Sequence, residues 1–245
     1  MDYFKAIVCL GMVSLFMSCN KEEQPKVIYE QEKVVVPEVK KIDTTQIKIA
    51  DLPILMEGTK YLIHPIGDVR VYDIPSKYGT SKVNQVSYAI SNYNRFELTG
   101  YFQNLMFQHI DSVTLHPLSE VVMQIQTATY LNTIAEKTKK QILVYSVFDE
   151  DTNRDGKIDS KDIKSLYISN INGSNFKKLS EELHEVLDWS VIESQNRLYF
   201  RTIEDINKNG AFDKKDNVNY YYLELDKDIW EIHSYNPFQY KTETN

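Results

Sequence analysis

Cysteine is almost missing from this chain, with two in 245 residues, at positions 9 and 19. A disulfide framework is therefore excluded for everything after residue 19, and an exported fold must be held by its core or by a bound ion. Glycine is scarce too, at 8, and no G-x-G-x-x-G or G-x-x-x-x-G-K-[ST] run offers a cradle for phosphate. The five histidines (64, 109, 116, 184 and 233) never fall at H-x-x-x-H or H-E-x-x-H spacing, and there is no G-x-S-x-G turn. Positive charge is not in surplus either. With 28 Lys and Arg against 35 Asp and Glu, the net charge of −7 argues against a nucleic-acid or anionic-membrane surface. Beyond the N-terminus, no apolar run approaches the ~20 residues of a membrane span.

What is present is acid at regular spacing. Residues 151–162 read DTNRDGKIDSKD, with oxygen side chains at loop positions 1, 3, 5, 9 and 12 (Asp151, Asn153, Asp155, Asp159 and Asp162). Ca²⁺ takes six to eight oxygens, so a chain wrapped round it must present one at nearly every second residue. Gly156, at position 6, permits the sharp turn between the two halves. Position 7, Lys157, contributes its backbone carbonyl, so the side chain is no obstacle. The pattern returns 54 residues later in residues 205–216, DINKNGAFDKKD. Asp205, Asn207, Asn209, Asp213 and Asp216 take the side-chain positions, and Ala211 the carbonyl position. This is the weaker copy, because Asn209 replaces an acid at position 5.

Both stretches resemble the EF-hand loop, and their Asp at position 12, where sensor loops carry Glu, is similar to dockerin-type repeats. Their flanks differ from a helix pair. Residues 141–148 (QILVYSVF), 165–169 (SLYIS), 197–203 (RLYFRTI) and 218–225 (VNYYYLEL) are short and rich in β-branched and aromatic residues, which predicts strands. In the last, Tyr220, Tyr222 and Glu224 fall on one face and Tyr221, Leu223 and Leu225 on the other. Without helices to swing apart, calcium is expected to be structural and not a switch.

Elsewhere after residue 51 the pattern is again short β runs: 60–64, 69–72, 86–90, 95–98, 105–108, 112–115, 121–127 and 130–134. The best helix candidate is 180–187 (SEELHEVL), with Ser180 as N-cap and Leu183, Val186 and Leu187 on one stripe. The fold expected is mainly β, an antiparallel meander or a small or open propeller-like domain with calcium loops between strands. Residues 166–180 (LYISNINGSNFKKLS) resemble the blade signature of TolB-type propellers, in which a strand, an Asn-Gly turn and a basic-Leu-Ser ending recur. By that likeness Asp188-Trp189-Ser190 stands where a further blade would begin.

The N-terminus reads as an address. Lys5 precedes an apolar run at 6–17, and residues 1–18 form the expected signal peptide. Phe16-Met17-Ser18-Cys19 resembles the lipobox of bacterial lipoproteins, above all the Bacteroidota form, which implies acylation of Cys19. Lys21-Glu22-Glu23 looks like the signal that sends some of these lipoproteins to the outer face of the outer membrane. Residues 19–50 read as a tether and 51–245 as the β domain.

The functional expectation is a calcium-binding, lipid-anchored cell-envelope protein of the bacterial outer membrane, acting as a binding or scaffolding module for a glycan or protein. The alternative is a carbohydrate-active or other hydrolytic enzyme with structural calcium. No catalytic residues are assigned, because a triad or a carboxylate pair drawn from Glu97, Glu120 and Glu193 would appear only in the fold. Seventeen tyrosines furnish either sheet surface or a stacking platform.

Overall fold

A strand that is buried at every residue must have both of its faces covered, because its side chains alternate between them. Residues 142–148 are such a strand, and they occupy the middle of the fold. The computed structural model describes residues 25–29, 48–75 and 82–238, with backbone only for 70–87. The signal peptide, Cys19, Lys21-Glu22-Glu23 and most of the expected tether lie outside these residues.

In chain order the strands begin with β1 (Lys48–Ala50), β2 (Ile54–Leu55), β3 (Tyr61–Asp68), β4 (Arg70–Pro75) and β5 (Lys82–Ser87). They continue with β6 (Ser91–Asn94), β7 (Glu97–Phe102), β8 (Asn104–His109), β9 (His116–Pro117) and β10 (Gln124–Tyr130). A short helix, α1 (Asn132–Thr138), precedes β11 (Ile142–Phe148), β12 (Lys164–Asn170) and β13 (Lys177–Lys178). The last are β14 (His184–Ile192), β15 (Arg197–Glu204), β16 (Asn217–Glu224) and β17 (His233–Ser234). β1-β3-β8-β9, with β2 beside β3, form a first sheet, β13-β12-β11-β10-β7-β6 a second and β14-β15-β16-β17 a third, while β4 and β5 pair as a ribbon. The fold is mainly β and antiparallel, and none of these sheets closes into a barrel.

The second sheet is the middle layer. On one side Leu143, Tyr145 and Val147 of β11 pack with Ile63 of β3 and Leu105 and Phe107 of β8. On the other, Ile142 and Val144 join Leu166 and Ile168 of β12 against Leu198, Phe200, Tyr221 and Leu223 of the third sheet. Each fully buried Leu, Ile or Phe contributes about 1.5–3 kcal/mol, so two cores sharing one strand make that layer the anchor of the fold.

The 54-residue spacing of the loops marks a larger repeat. β10-β11-β12-β13 and β14-β15-β16-β17 are two four-stranded meanders, and each carries its loop between its second and third strands. Each also shifts register in its first strand, between Ile125 and Thr127 and between Val186 and Asp188.

Three local expectations are corrected. Residues 180–187 are not helical: Leu183 has φ +59° and β14 starts at His184. An eight-residue helix is marginal by itself, whereas from His184 onward the chain gains a ladder against β15 that runs to Ile192. Conversely, 130–134 turn from strand into α1, which buries Ile134 and Ala135 and ends at Lys139 in the left-handed region. Residues 112–115 are a loop, with Val113 93% exposed. The tether also gives way in two places: β1 starts at Lys48, and residues 25–29 are docked on the domain.

Candidate cation loops and an aromatic sheet face

Each loop is a hairpin connection whose ends are fixed by an antiparallel ladder, Phe148 opposite Lys164 in the first and Glu204 opposite Asn217 in the second. Within it, Asp and Asn side chains accept from their own backbone, as these residues do in Asx turns. In the first loop Asp151 accepts the N–H of Asp155 at 3.1 Å and of Gly156 at 3.0 Å. Asn153 accepts from Asp155, Asp155 from Lys157, Asp159 from Lys161, and Asp162 from Asp159. The second loop repeats this set. Asp205 accepts from Asn209 at 3.2 Å and Gly210 at 2.7 Å, Asn207 from Asn209, Asn209 from Ala211, Asp213 from Lys215, and Asp216 from Asp213. Positions 4 and 6 are left-handed in both: Arg154 and Lys208 at φ +58° and +56°, Gly156 and Gly210 at +87° and +82°.

The donors are hard oxygens throughout, which suits Ca²⁺. Asp162 is fully buried, and its carboxylate rests on the amides of Thr152, Asn153 and Asp159. Among the described residues no cationic side chain pairs with it, and backbone amides hold it below the surface. Among those residues, too, no three His, Cys, Asp or Glu side chains stand closed into a metal cluster. The loop oxygens face backbone amides, and positions 3 and 7 supply an amide side chain and a carbonyl instead. Just before the first loop, Asp149 is gripped by Ser165 Oγ and Tyr167 Oη, each at 2.8 Å, and by Lys178 Nζ at 2.7 Å. Burial, then the Asp149 charge, pushes the Tyr167 phenol far above its usual range, so it stays a donor.

Sequence reasoning missed residues 25–29. Lys26 N and Val27 N reach Gly210 O at 2.7 and 3.3 Å, and Ile28 N reaches Thr152 O at 2.9 Å. Thr152 Oγ1 returns a bond to Lys26 O at 2.7 Å, and Tyr29 Oη donates to Asp205 Oδ2 at 3.0 Å. Burial and then the Asp205 hydrogen bond raise the Tyr29 phenol to about 12. The signal available was Val27-Ile28-Tyr29, an apolar triplet inside a charged stretch.

The outer face of the third sheet is aromatic. Register aligns Ser190, Tyr199, Tyr222 and His233 across four strands, with Asp188, Arg201 and Tyr220 in the neighbouring row. Tyr222 stacks on His233 at 5.1 Å and lies under the Arg197 guanidinium at 4.5 Å, and Tyr235 meets Tyr199, Tyr220 and Tyr222 edge-on. The two faces read from the sequence are separate, and the structure buries the one with Tyr221, Leu223 and Leu225, leaving Tyr220 and Tyr222 partly exposed.

A cleft of about 350 Å³ opens beside His233 at the margin of this face, and another of about 510 Å³ lies beside α1. In the first, Glu224 pairs with Arg197 and Asp228 with Lys140; in the second, Glu57 pairs with Arg95. Glu97 accepts from Thr129 and lines neither, as is true of Glu120 and Glu193. His184 lies 3.3 Å from Thr202 and 3.9 Å from Glu181, but Thr202 is fully buried. No helix among the described residues is long and apolar enough to cross a membrane.

The sequence matches no family model and no curated protein. Among solved structures, a candidate TolB protein from Agrobacterium tumefaciens is matched at 10% identity over 77% of this chain and 81% of that one, with a TM-score of 0.21. A likeness that loose carries no argument.

Proposed function

We propose that this protein is a calcium-stabilised binding module of the bacterial cell envelope, anchored to the outer membrane through a lipid on Cys19. The observation that carries the reading is the identical set of side-chain-to-backbone bonds in two loops 54 residues apart. Ca²⁺ would be held by Asp151, Asn153, Asp155, the Lys157 carbonyl, Asp159 and Asp162, and in the second loop by Asp205, Asn207, Asn209, the Ala211 carbonyl, Asp213 and Asp216. Bound there, the ion supplies charge neutralisation and a cross-link between the second and third strands of a meander. The chain's own part is to hold these oxygens on amides of a rigid ladder, which lowers the ordering needed for binding.

The aromatic face supports binding over hydrolysis. Rings in rows with Arg and acid at their margins offer a stacking platform with polar edges, the kind of surface a glycan or a protein partner uses. In the clefts, by contrast, Glu224, Asp228 and Glu57 are already engaged by cations.

Thermal unfolding in EDTA and in millimolar Ca²⁺ tests the reading. At a hundredfold excess over Kd, binding to the folded state alone adds about 2.7 kcal/mol, and Tm should rise by several degrees with little change in circular dichroism. Asp151→Ala should lose most of that gain and Asp205→Ala less. An unchanged Tm in wild type would defeat the proposal.

A further inference from the structure

Residues 25–29 touch both loops at once. We infer that they form a strap fastening the loops to each other, and that Tyr29 positions the first ligand of the second loop, so that cation binding at 205–216 and docking of the strap are one event. The inference rests on the cation reading above.

The strap bonds only to positions that do not ligate. It takes the carbonyl of Gly210, at position 6, and the carbonyl and hydroxyl of Thr152, at position 2. It therefore senses the folded shape of each loop while leaving positions 1, 3, 5, 7, 9 and 12 to the ion. Tyr29 is the exception by design of its partner. Asp205 Oδ2 accepts both Tyr29 Oη at 3.0 Å and Gly210 N at 2.7 Å, while Oδ1 accepts Asn209 N at 3.2 Å. A hydroxyl donated to the carboxylate of a would-be ligand fixes its orientation, the task of outer-shell partners in metal sites. The second loop needs that help more, because Asn209 stands where the first has Asp155.

Gly210 carries the mark of the strap. A Cβ there would overlap Val27 O and come within 2.7 Å of Pro25 Cβ, whereas at Gly156, of nearly the same φ, a Cβ would meet nothing within 4 Å. At Gly210 the strap therefore adds a steric bar to the backbone strain that both glycines share. Lys26 completes the fastening with an ion pair to Glu185 at 2.8 Å, and the other Glu185 oxygen accepts Lys164 N at 2.9 Å, just beyond the first loop.

The test is calorimetric titration of the full chain in detergent with Ca²⁺, together with hydrogen exchange at the amides of 26–28 in Ca²⁺ and in EDTA. Wild type should take up two ions, and those amides should be slowed by Ca²⁺. Tyr29→Phe keeps the ring and removes the hydroxyl. It should leave one site unchanged, weaken the other by about tenfold, and lose much of the slowing; Asp205→Ala identifies which site is the second loop. Two unchanged sites in Tyr29→Phe, equal weakening of both, or exchange at 26–28 indifferent to Ca²⁺ would overturn the coupling while leaving the cation reading intact. No calcium uptake by wild type would overturn both.

Discussion

Replacing Gly156 and Gly210 by Ala, one at a time, separates the loop from the strap. Both glycines are left-handed, at φ +87° and +82°, so each substitution carries the same backbone cost of about 1–2 kcal/mol. At Gly156 that is the whole effect, because the new methyl meets open space. At Gly210 the methyl collides with backbone, which cannot swing aside as a side-chain tip can, so the strap must lift. Lifting it forfeits Val27 burial, about 1.5–3 kcal/mol, and four backbone-carbonyl bonds at about 1 kcal/mol each. The Tyr29 bond to a carboxylate adds about 1.5–3 kcal/mol. Against this, freeing the backbone returns about 1–2 kcal/mol per residue over residues 25–29. Gains of about 7–10 kcal/mol stand against a return of about 5–10 kcal/mol, so the terms cancel to within a few kcal/mol, and Gly210→Ala should lose more than Gly156→Ala by no more than about that. In a domain of this size 1 kcal/mol is about 2–4 °C in Tm. Thermal or urea unfolding of both variants in millimolar Ca²⁺ measures the difference. Equal losses, or unaltered amide exchange at 26–28 in Gly210→Ala, would refute the reasoning.

Cys19→Ala should move the protein from the membrane to the soluble fraction, since an acyl chain contributes about 0.8 kcal/mol per buried CH₂; a variant that stays bound has its anchor elsewhere. Tyr199→Ala and Tyr222→Ala should each weaken capture of whichever envelope glycan or protein the wild type retains on an array, with Tm little altered, because both rings lie on the outer face. The Arg201 guanidinium, bonded to Asp188, holds that carboxyl below its usual value. Its contribution is present above the ordinary carboxylate pKa and is lost as pH falls through the lowered one. Arg201→Gln should raise the Asp188 titration seen by NMR, with only a slight change in acid stability, because both side chains are about half exposed.

The strands beside the loops were legible because they are short runs rich in β-branched and aromatic residues, and β11 is buried along its whole length. β11, β12, β15 and β16 fall within a residue or two of the runs read from sequence. Residues 180–187 misled for a physical reason: Leu183, Val186 and Leu187 have helical spacing, yet only Val186 is buried, the other two being about 40% exposed. Their pairing with β15 is a tertiary bond between segments, and no local pattern announces it. At 132–138 the error ran the other way, since Ile134 is buried in the core shared with the third sheet and Ala135 in the one shared with the first, more than by any stripe of their own.

The loops themselves were readable residue by residue, because ligand spacing is a local property. The strap was not, because nothing in residues 25–29 says which carbonyls across the fold will receive their amides. Its place gives the unequal loops a common consequence. With Cys19 carrying the lipid, a chain free up to β1 at Lys48 could hold the domain as far as roughly 95 Å from the bilayer at about 3.3 Å per residue. A docked strap begins at Pro25 and leaves a reach of roughly 20 Å. Because the strap is close to balanced between bonding and entropy, a cation drawing Asp205, Asp213 and Asp216 together, as inferred above, would be enough to favour its docking on the carbonyl of Gly210. On the proposed reading calcium would need to rearrange no strand to have an effect at the membrane, since it would set how closely the aromatic face of the third sheet is held to the lipid anchor.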